Sequence, residues 1–185
     1  RVGLVVAYDG TNYSGWQIQP NGITIEEILN RQISKLTGED IRIIGASRTD
    51  SGVHALGNVA VFDTESRIPG DRFAYALNQK MPEDIVIVRS DEVQIDWHPR
   101  YQNEISKTYE YHIYNAKVRN PLKNRYSTFV SFDLDVEKMR QGAKYILGEH
   151  DFASFCNVRT NAKDTVRTVH EITITEIPLD KFQAT

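Results

Sequence analysis

Hydrophobic residues recur with two different periods along the first forty residues of the chain. Residues 2–8 are apolar or small at almost every position, which predicts a strand covered on both faces in the centre of a sheet. Thr24 is followed three positions later by Glu27, the pattern of a helix capping box. Apolar residues then follow at helical spacing: Ile25, Ile28, Leu29, Ile33 and Leu36. A helix is therefore predicted from Thr24 to Gly38.

The remainder of the first half predicts three more strands and a second helix. The strands are expected at residues 41–46, 58–64 and 84–89. The helix is expected to begin at Pro69 and to end before Pro82, because a proline ring cannot continue the turn. It should turn three apolar side chains inward, Phe73, Leu77 and Met81. The predicted order of the first half is therefore β-α-β-β-α-β.

The second half repeats part of this order. Its predicted elements are a strand from Lys107 to Tyr114 with an aromatic face, a strand over 128–132, a helix from Val136 to Gly148 and a strand over 168–177. We therefore expect two related α/β halves, residues 1–95 and 96–185, whose sheets join into one.

Composition and charge limit how this chain could bind a polyanion. Of its 185 residues, 40% are apolar and 25% are charged, as in ordinary globular proteins, and no apolar run is long enough for a transmembrane helix. The net charge is −3, so a nucleic-acid site would have to be local. Residues 97–170 contain twelve basic and eight acidic side chains, against five and six in residues 1–60. One cysteine, Cys156, allows no disulfide within the chain and favours a reducing compartment.

The segment between the second and third predicted strands holds the most specific pattern. It reads GASRTDSGVHA. Gly45 and Gly52 flank its central residues and allow a sharp turn that exposes Arg48 and Asp50. A guanidinium beside the aspartate would keep its carboxylate ionised, as a nucleophile or a base requires. The same letters are also typical of a turn that carries only a surface salt bridge. Both interpretations remain open from the residue types alone.

This loop and five other segments resemble the TruA family of tRNA pseudouridine synthases. The similar segments read YDGTNYSGWQIQ, GASRTDSGVHA, LNQKMPEDIVI, WHPRYQNEISKTYEYHIYN, GEHDFASFC and TVRTVHEITI, in this order along nearly the whole chain. The resemblance implies an α/β (α+β) fold of two ferredoxin-like halves. Their strands would join into a mixed, mostly antiparallel sheet flanked by helices, with the active-site cleft between the halves.

The resemblance also implies roles for four residues. Asp50 matches the catalytic aspartate of the family, and Arg48 matches the arginine that enters the tRNA where the target base has flipped out. Tyr109 matches the tyrosine that stacks on the target base, and Arg167 matches the basic residue that pairs with the catalytic carboxylate. The implied activity converts uridine to pseudouridine at positions 38 to 40 of the tRNA anticodon stem-loop. The expected enzyme is a cytoplasmic homodimer that uses no cofactor and no metal.

Other functions and sites stay open at this point. A basic loop formed by Arg119, Lys123 and Arg125 is either a solvated surface or a contact to the tRNA backbone. A non-catalytic RNA-binding module could use Tyr109 and this loop alone. A glycosidase acting on free nucleosides is disfavoured, because the sequence shows no second positioned acid.

The chain also departs from the family in three places. Asn58 stands where glutamine is more usual, and Trp97 replaces a usual phenylalanine. A C-terminal stretch with a FLxxMVR-type motif is absent from the sequence, which predicts weak activity for these residues alone. Trp16 and Cys156 are expected to pack in apolar surroundings rather than to act on substrate.

Overall fold

A computed structural model describes residues 1–101, 106–156 and 164–178 of the chain. The chain divides into two compact units, Arg1–Glu110 and Tyr111–Thr185. The helices within the described ranges are all too short or too polar to cross a membrane.

The first unit has the predicted order of strands and helices. Its elements are β1 (Val2–Tyr8), α1 (Ile25–Thr37), β2 (Ile44–Gly45), β3 (Ala55–Phe62), α2 (Phe73–Asn78) and β4 (Ile85–Glu92). The four strands form one sheet in the order β2-β3-β1-β4, and every neighbouring pair is antiparallel. The central position of β1 and the β-α-β-β-α-β order are thus confirmed.

The core of this unit lies between one face of the sheet and the two helices. Alternate residues of β1, starting with Val2, are buried, and the residues between them are half-buried rather than fully covered as expected. Helix α1 is capped at its start by Thr24, whose side chain accepts a hydrogen bond from the Glu27 amide, and at its end by Gly38 in the left-handed conformation. It buries four apolar side chains, Ile25, Ile28, Leu29 and Ile33. The capping box and the helical spacing therefore predicted both the limits and the buried face of α1.

Two predicted elements of this unit are shorter than expected. Only Ile44 and Gly45 of the predicted strand 41–46 pair with β3. The Ile41 and Ile43 amides instead donate to side chains of α1. Helix α2 is preceded by a 3-10 turn over Gly70–Arg72 and ends at Asn78, well before the proline expected to stop it.

The second unit contains α3 (Val136–Ala143) and two separate strand pairs. Strands β5 (Ile113–Asn115) and β6 (Thr128–Val130) are parallel, whereas β7 (Gly148–Asp151) and β8 (Val166–Val169) are antiparallel. Within the described part of this unit no residue is fully buried. The joining of the two halves into one sheet stays a prediction.

Three predictions for the second unit were wrong in their limits. The strand expected from Lys107 to Tyr114 is regular only in β5. The strand expected over 168–177 is regular only at Thr168 and Val169, the end of β8, which already begins at Val166. The helix expected to reach Gly148 ends at Ala143, and Gly148, with a φ of 96°, begins β7 instead. In both strands the alternation of apolar residues covers more residues than the neighbouring strand can pair with. The regular strand is limited to the paired residues, because a strand ends where no neighbour accepts its hydrogen bonds.

Candidate active site

The loop between β2 and β3 alternates between buried and exposed positions. Ser47 and Thr49 are half-buried, and Arg48 and Asp50 are exposed. Successive side chains of an extended segment point to opposite sides, so this alternation presents the arginine and the aspartate to solvent together. The loop then turns at Gly52, whose φ of 78° favours glycine, and the Val53 amide donates to the Asp50 carbonyl oxygen across 3.2 Å.

Buried polar groups hold the two inward residues of the loop. The side-chain amide of Asn58 in β3 bonds both backbone groups of Ser47: Nδ2 donates to its carbonyl oxygen across 3.1 Å, and Oδ1 accepts from its amide across 3.3 Å. The Tyr8 hydroxyl, at the end of β1, lies 2.8 Å from Thr49 Oγ1. Burial raises the pKa of Tyr8, against the opposing effect of its hydrogen bonds to Thr49 and Asn58, so the phenol keeps its proton.

The opening segment between β1 and α1 supports the outer part of the loop. The Trp16 amide donates to the Thr49 carbonyl oxygen across 3.0 Å, and the Gly52 amide donates to the Tyr13 carbonyl oxygen across 3.3 Å. Gly15 has a φ of 84°, and a Cβ atom there would overlap the same Thr49 carbonyl oxygen. Two of the segments that carry the family resemblance, YDGTNYSGWQIQ and GASRTDSGVHA, therefore pack against each other.

Trp16 is part of this support as well as part of the core. Its side chain is only 1% exposed, which confirms that it packs in the core. A Cβ atom on Gly45 would lie 2.5 Å from its indole ring, so the start of the loop can approach the ring only because residue 45 is glycine.

Positive charge gathers at the start of the loop. Arg100 Nε donates to the Gly45 carbonyl oxygen across 2.6 Å, and Lys107 Nζ donates to the Ala46 carbonyl oxygen across 3.2 Å. Arg48 and Arg100 also line a cavity of about 120 Å³ beside Glu26. The ion pair suggested between Arg48 and Asp50 is not among those formed in the described ranges.

The far end of the loop is tied to the opening segment by a histidine. His54 Nδ1 lies 3.1 Å from Asp9 Oδ1 and accepts the Gly10 amide hydrogen across 3.1 Å. The neutral ring accepts from the backbone amide, and the protonated ring would pair with the carboxylate. Thus both ends of the loop are fixed, with Asp50 between them.

Comparison with known proteins identifies the family that has this loop. The family model for tRNA pseudouridine synthase matches residues 4–102 and 143–184. The chain is 50% identical to the tRNA pseudouridine synthase A of Acetivibrio thermocellus over 174 residues, which are 94% of this chain and 71% of that protein. It is 44% identical to the tRNA pseudouridine synthase A of Brevibacillus brevis over 177 residues, covering 96% of this chain and 72% of that protein.

The chain belongs to the tRNA pseudouridine synthase family. A third relative, the tRNA pseudouridine synthase A 2 of Clostridium perfringens, is 47% identical over 94% of this chain and 71% of that protein. The two ranges of the family match contain Arg48, Asp50 and Arg167, whereas Tyr109 lies between them.

The other residues suggested by the family resemblance lie outside the loop. Tyr109 belongs to the first unit and is 73% exposed. Arg167 belongs to the second unit, where it is exposed on β8 opposite His150 of β7. The pairing of Arg167 with Asp50 stays a prediction.

The basic loop also lies in the second unit. Arg119 and Arg125 are exposed and Lys123 is half-buried. The Arg119 guanidinium carbon lies 4.8 Å from the centre of the Phe129 ring, a cation–π contact within the unit. The Arg119 guanidinium therefore packs on the Phe129 side chain of β6.

Sequence reasoning missed the groups beneath the loop. The sequence pattern marks Tyr8 only as the last residue of the strand predicted over 2–8, and it marks Asn58 only as a departure from the usual glutamine. The available signal was a polar residue within an apolar stretch of a predicted strand, since an amide buried there needs hydrogen-bond partners.

Proposed function

We propose that this protein isomerises uridine to pseudouridine in tRNA with Asp50 as the catalytic carboxylate. The observation that carries the proposal is the position of Asp50: an exposed aspartate on a loop fixed at both ends, within the segment that the family match covers. The relatives named tRNA pseudouridine synthase A support the same reaction. A binding module would not need an aspartate on a loop whose backbone is held at both ends.

The reaction needs little besides a placed carboxylate and a pocket for the base. The bond between uracil N1 and ribose C1′ breaks, a bond forms between C5 and C1′, C5 loses a proton and N1 gains one. The product is an isomer, so atoms and electrons balance without an oxidant, a reductant or water. The carboxylate serves either by attacking C1′ or by taking the 2′ proton to give a glycal.

The remaining residues serve the movement of the base. A uridine stacked in a stem or loop has to leave the stack to reach Asp50, which costs a few kcal/mol. Arg48 extends from the same loop and is proposed to fill the space that the base leaves. Tyr109 is proposed to stack on the flipped base, and Arg167 to pair with the Asp50 carboxylate, as the family resemblance implies.

The proposal also includes the target and the assembly. The target uridines are those at positions 38 to 40 of the anticodon stem-loop, and the enzyme acts as a homodimer in the cytoplasm. Each chain has a net charge of −3, and a dimer would bring two sets of the basic side chains concentrated in residues 97–170 to one tRNA, which enlarges the local basic surface.

Replacing Asp50 with asparagine tests the catalytic role. Asp50→Asn keeps the size of the side chain and removes its charge, so tRNA binding should persist while pseudouridine formation falls by at least about 10³-fold. Asp40→Asn, at another exposed aspartate of the same unit, is the control. Pseudouridine is measured by mass spectrometry of digested tRNA, and binding by filter retention. Turnover at the wild-type rate in Asp50→Asn would favour the non-catalytic RNA-binding module.

Replacing Tyr109 tests the stacking role. Removing an aromatic platform costs about 1 to 3 kcal/mol per base, so Tyr109→Leu should impair turnover while Tyr109→Phe keeps it. Tyr75 on α2 is equally exposed, at 73%, and Tyr75→Leu is the matched control. Equal losses for Phe and Leu at position 109 would contradict a role limited to stacking.

A further inference from the structure

Asn58 forms an unusual contact for a side chain in the middle of a sheet. It is 7% exposed, and its amide bonds both backbone groups of Ser47, as a neighbouring strand would. These two bonds fix the orientation of the amide, because Oδ1 has to face the Ser47 N–H and Nδ2 its carbonyl oxygen. The residue before Arg48 is thus held by a side chain at the point where β2 has already ended.

The amide of Asn58 also connects to the residue after Arg48. Its Nδ2 lies 3.4 Å from the Tyr8 hydroxyl oxygen, to which it donates. The phenol hydrogen is then left to donate to Thr49 Oγ1, 2.8 Å away. Tyr8 is 5% exposed, so this chain of hydrogen bonds lies in a region of low dielectric, where it is strengthened and where an unpaired member is costly.

Together these hydrogen bonds hold Ser47 and Thr49, the two neighbours of Arg48, and none of them is made by Arg48 itself. Because the segment is extended, fixing Ser47 and Thr49 also fixes the directions in which Arg48 and Asp50 leave the backbone. A displacement of about 1 Å can lower the rate of a reaction about 100-fold even when it arises away from the reacting atoms.

We propose that Asn58 and Tyr8 are positioning residues, whose buried hydrogen bonds to Ser47 and Thr49 aim Asp50 and Arg48 at the nucleotide. The proposal rests on the proposed function of Asp50. It assigns neither residue a contact with the substrate: both act through the backbone and side chain of the loop.

The first unit contains a matched control for this contact. Asn78, at the end of α2, bonds both backbone groups of Ile87 in β4: Nδ2 donates to the carbonyl oxygen across 2.9 Å, and Oδ1 accepts from the amide across 2.8 Å. This is the same bidentate arrangement at a site that ties a helix to a strand. Replacing Asn78 removes a comparable pair of hydrogen bonds without touching the loop.

The test compares the two asparagines by the same substitution. Asn58→Asp and Tyr8→Phe should each lower single-turnover kcat about 10- to 100-fold with the KM for tRNA unchanged within about twofold. Asn78→Asp should lower the free energy of unfolding, measured in urea, by about as much as Asn58→Asp does. It should nevertheless keep kcat within about twofold of wild type. Asn58→Gln, which restores both amide functions on a longer chain, should recover part of the kcat lost in Asn58→Asp. If kcat falls equally for Asn58→Asp and Asn78→Asp, or if Tyr8→Phe keeps wild-type kcat, the positioning role is overturned.

A measurement without turnover separates this proposal from the proposed function. In Asn58→Leu the Ser47 amide loses its acceptor, so its hydrogen exchange should become faster relative to that of the Ile87 amide. Wild-type activity of Asp50→Asn together with faster Ser47 exchange would overturn the role of Asp50 and leave the support of the loop standing. Unchanged Ser47 exchange would overturn the support itself, whatever Asp50 does.

Discussion

Helices α1 and α3 begin in the same way and end in different surroundings. Thr24 accepts a hydrogen bond from the Glu27 amide at the start of α1, and Asp135 accepts one from the Lys138 amide at the start of α3. The first helix has 13 residues and buries four of them, while the second has 8 and buries none. Equivalent local signals therefore produced a core helix in one unit and a surface helix in the other.

The difference lies in what each helix has to pack against. Most of the stability of a protein helix comes from burying its apolar face, and α1 lies on a four-stranded sheet. The described part of the second unit offers only pairs of strands three or four residues long. The loop that carries Asp50 is therefore attached to the unit that contains a buried core, whereas Arg167 and the basic loop lie on the unit whose described residues include no buried side chain. Substitutions in the two units should have effects of very different size.

The largest difference is expected for core truncation. Leu29 of α1 is fully buried, so Leu29→Ala should lower the free energy of unfolding by about 2 to 5 kcal/mol. Met139 of α3 is only half-buried, so Met139→Ala should cost about 1 kcal/mol or less. Urea unfolding followed by circular dichroism measures both. Equal losses would show that α3 is covered by something outside the described residues.

Two glycines extend the comparison to the backbone. Gly15→Ala introduces a Cβ atom at a positive φ and against the Thr49 carbonyl oxygen, so it should cost about 1 to 3 kcal/mol and lower turnover by displacing the loop. Gly142 lies inside α3 with open space around its Cβ position, so Gly142→Ala should stabilise by about 0.5 to 1 kcal/mol. Thermal unfolding and pseudouridine formation are measured for both variants. Normal activity in Gly15→Ala would mean that the loop tolerates displacement.

How far the sequence predicts the structure also differs between the units. In the first, α1 and β1 were predicted almost to the residue, because capping and periodicity agree with the packing that the sheet supplies. In the second, alternation made one predicted strand begin well before β5 and the other continue well beyond β8, since a pattern shows which residues could pair and not how long a partner is.

The candidate site was predictable as a motif and not as an arrangement. The residue types and spacing of GASRTDSGVHA, with the resemblance it carries, pointed to Arg48 and Asp50. The contacts that support them come from Asn58 and from Tyr8, which is 41 positions from its partner Thr49. Such long-range pairs depend on strand register, and the shift in the β1–β3 pairing between Val6 and Tyr8 has no signal in the pattern of apolar residues.

A smaller effect is expected from the two helix caps, which should differ in their response to pH. Thr24 cannot ionise at ordinary pH, so Thr24→Ala should cost about 1 kcal/mol at every pH tested. Hydrogen bonds from the Lys138 amide and side chain lower the pKa of Asp135 below the ordinary aspartate value of 3.8. The charged carboxylate therefore stabilises α3 at pH values above 3.8, and this contribution is lost as the pH falls through the pKa of the folded state. The difference in unfolding free energy between wild type and Asp135→Asn should therefore shrink toward acid pH, and a difference that stays constant would contradict the charge effect.

The smallest effect is expected from the basic loop of the second unit. If Arg119, Lys123 and Arg125 contact tRNA phosphates, each neutral replacement should weaken binding for every tRNA alike and reduce the slope of log affinity against log salt by about 0.9. Arg119→Gln should in addition loosen β6, because the guanidinium packs on Phe129. Lys117 offers the control: it is exposed in the same unit and pairs with Asp133 across 2.7 Å, so Lys117→Gln should leave the slope unchanged. Equal slopes for all four variants and wild type would mean that these charges are solvated surface. The second unit would then be left with Arg167 as its proposed contribution to the site.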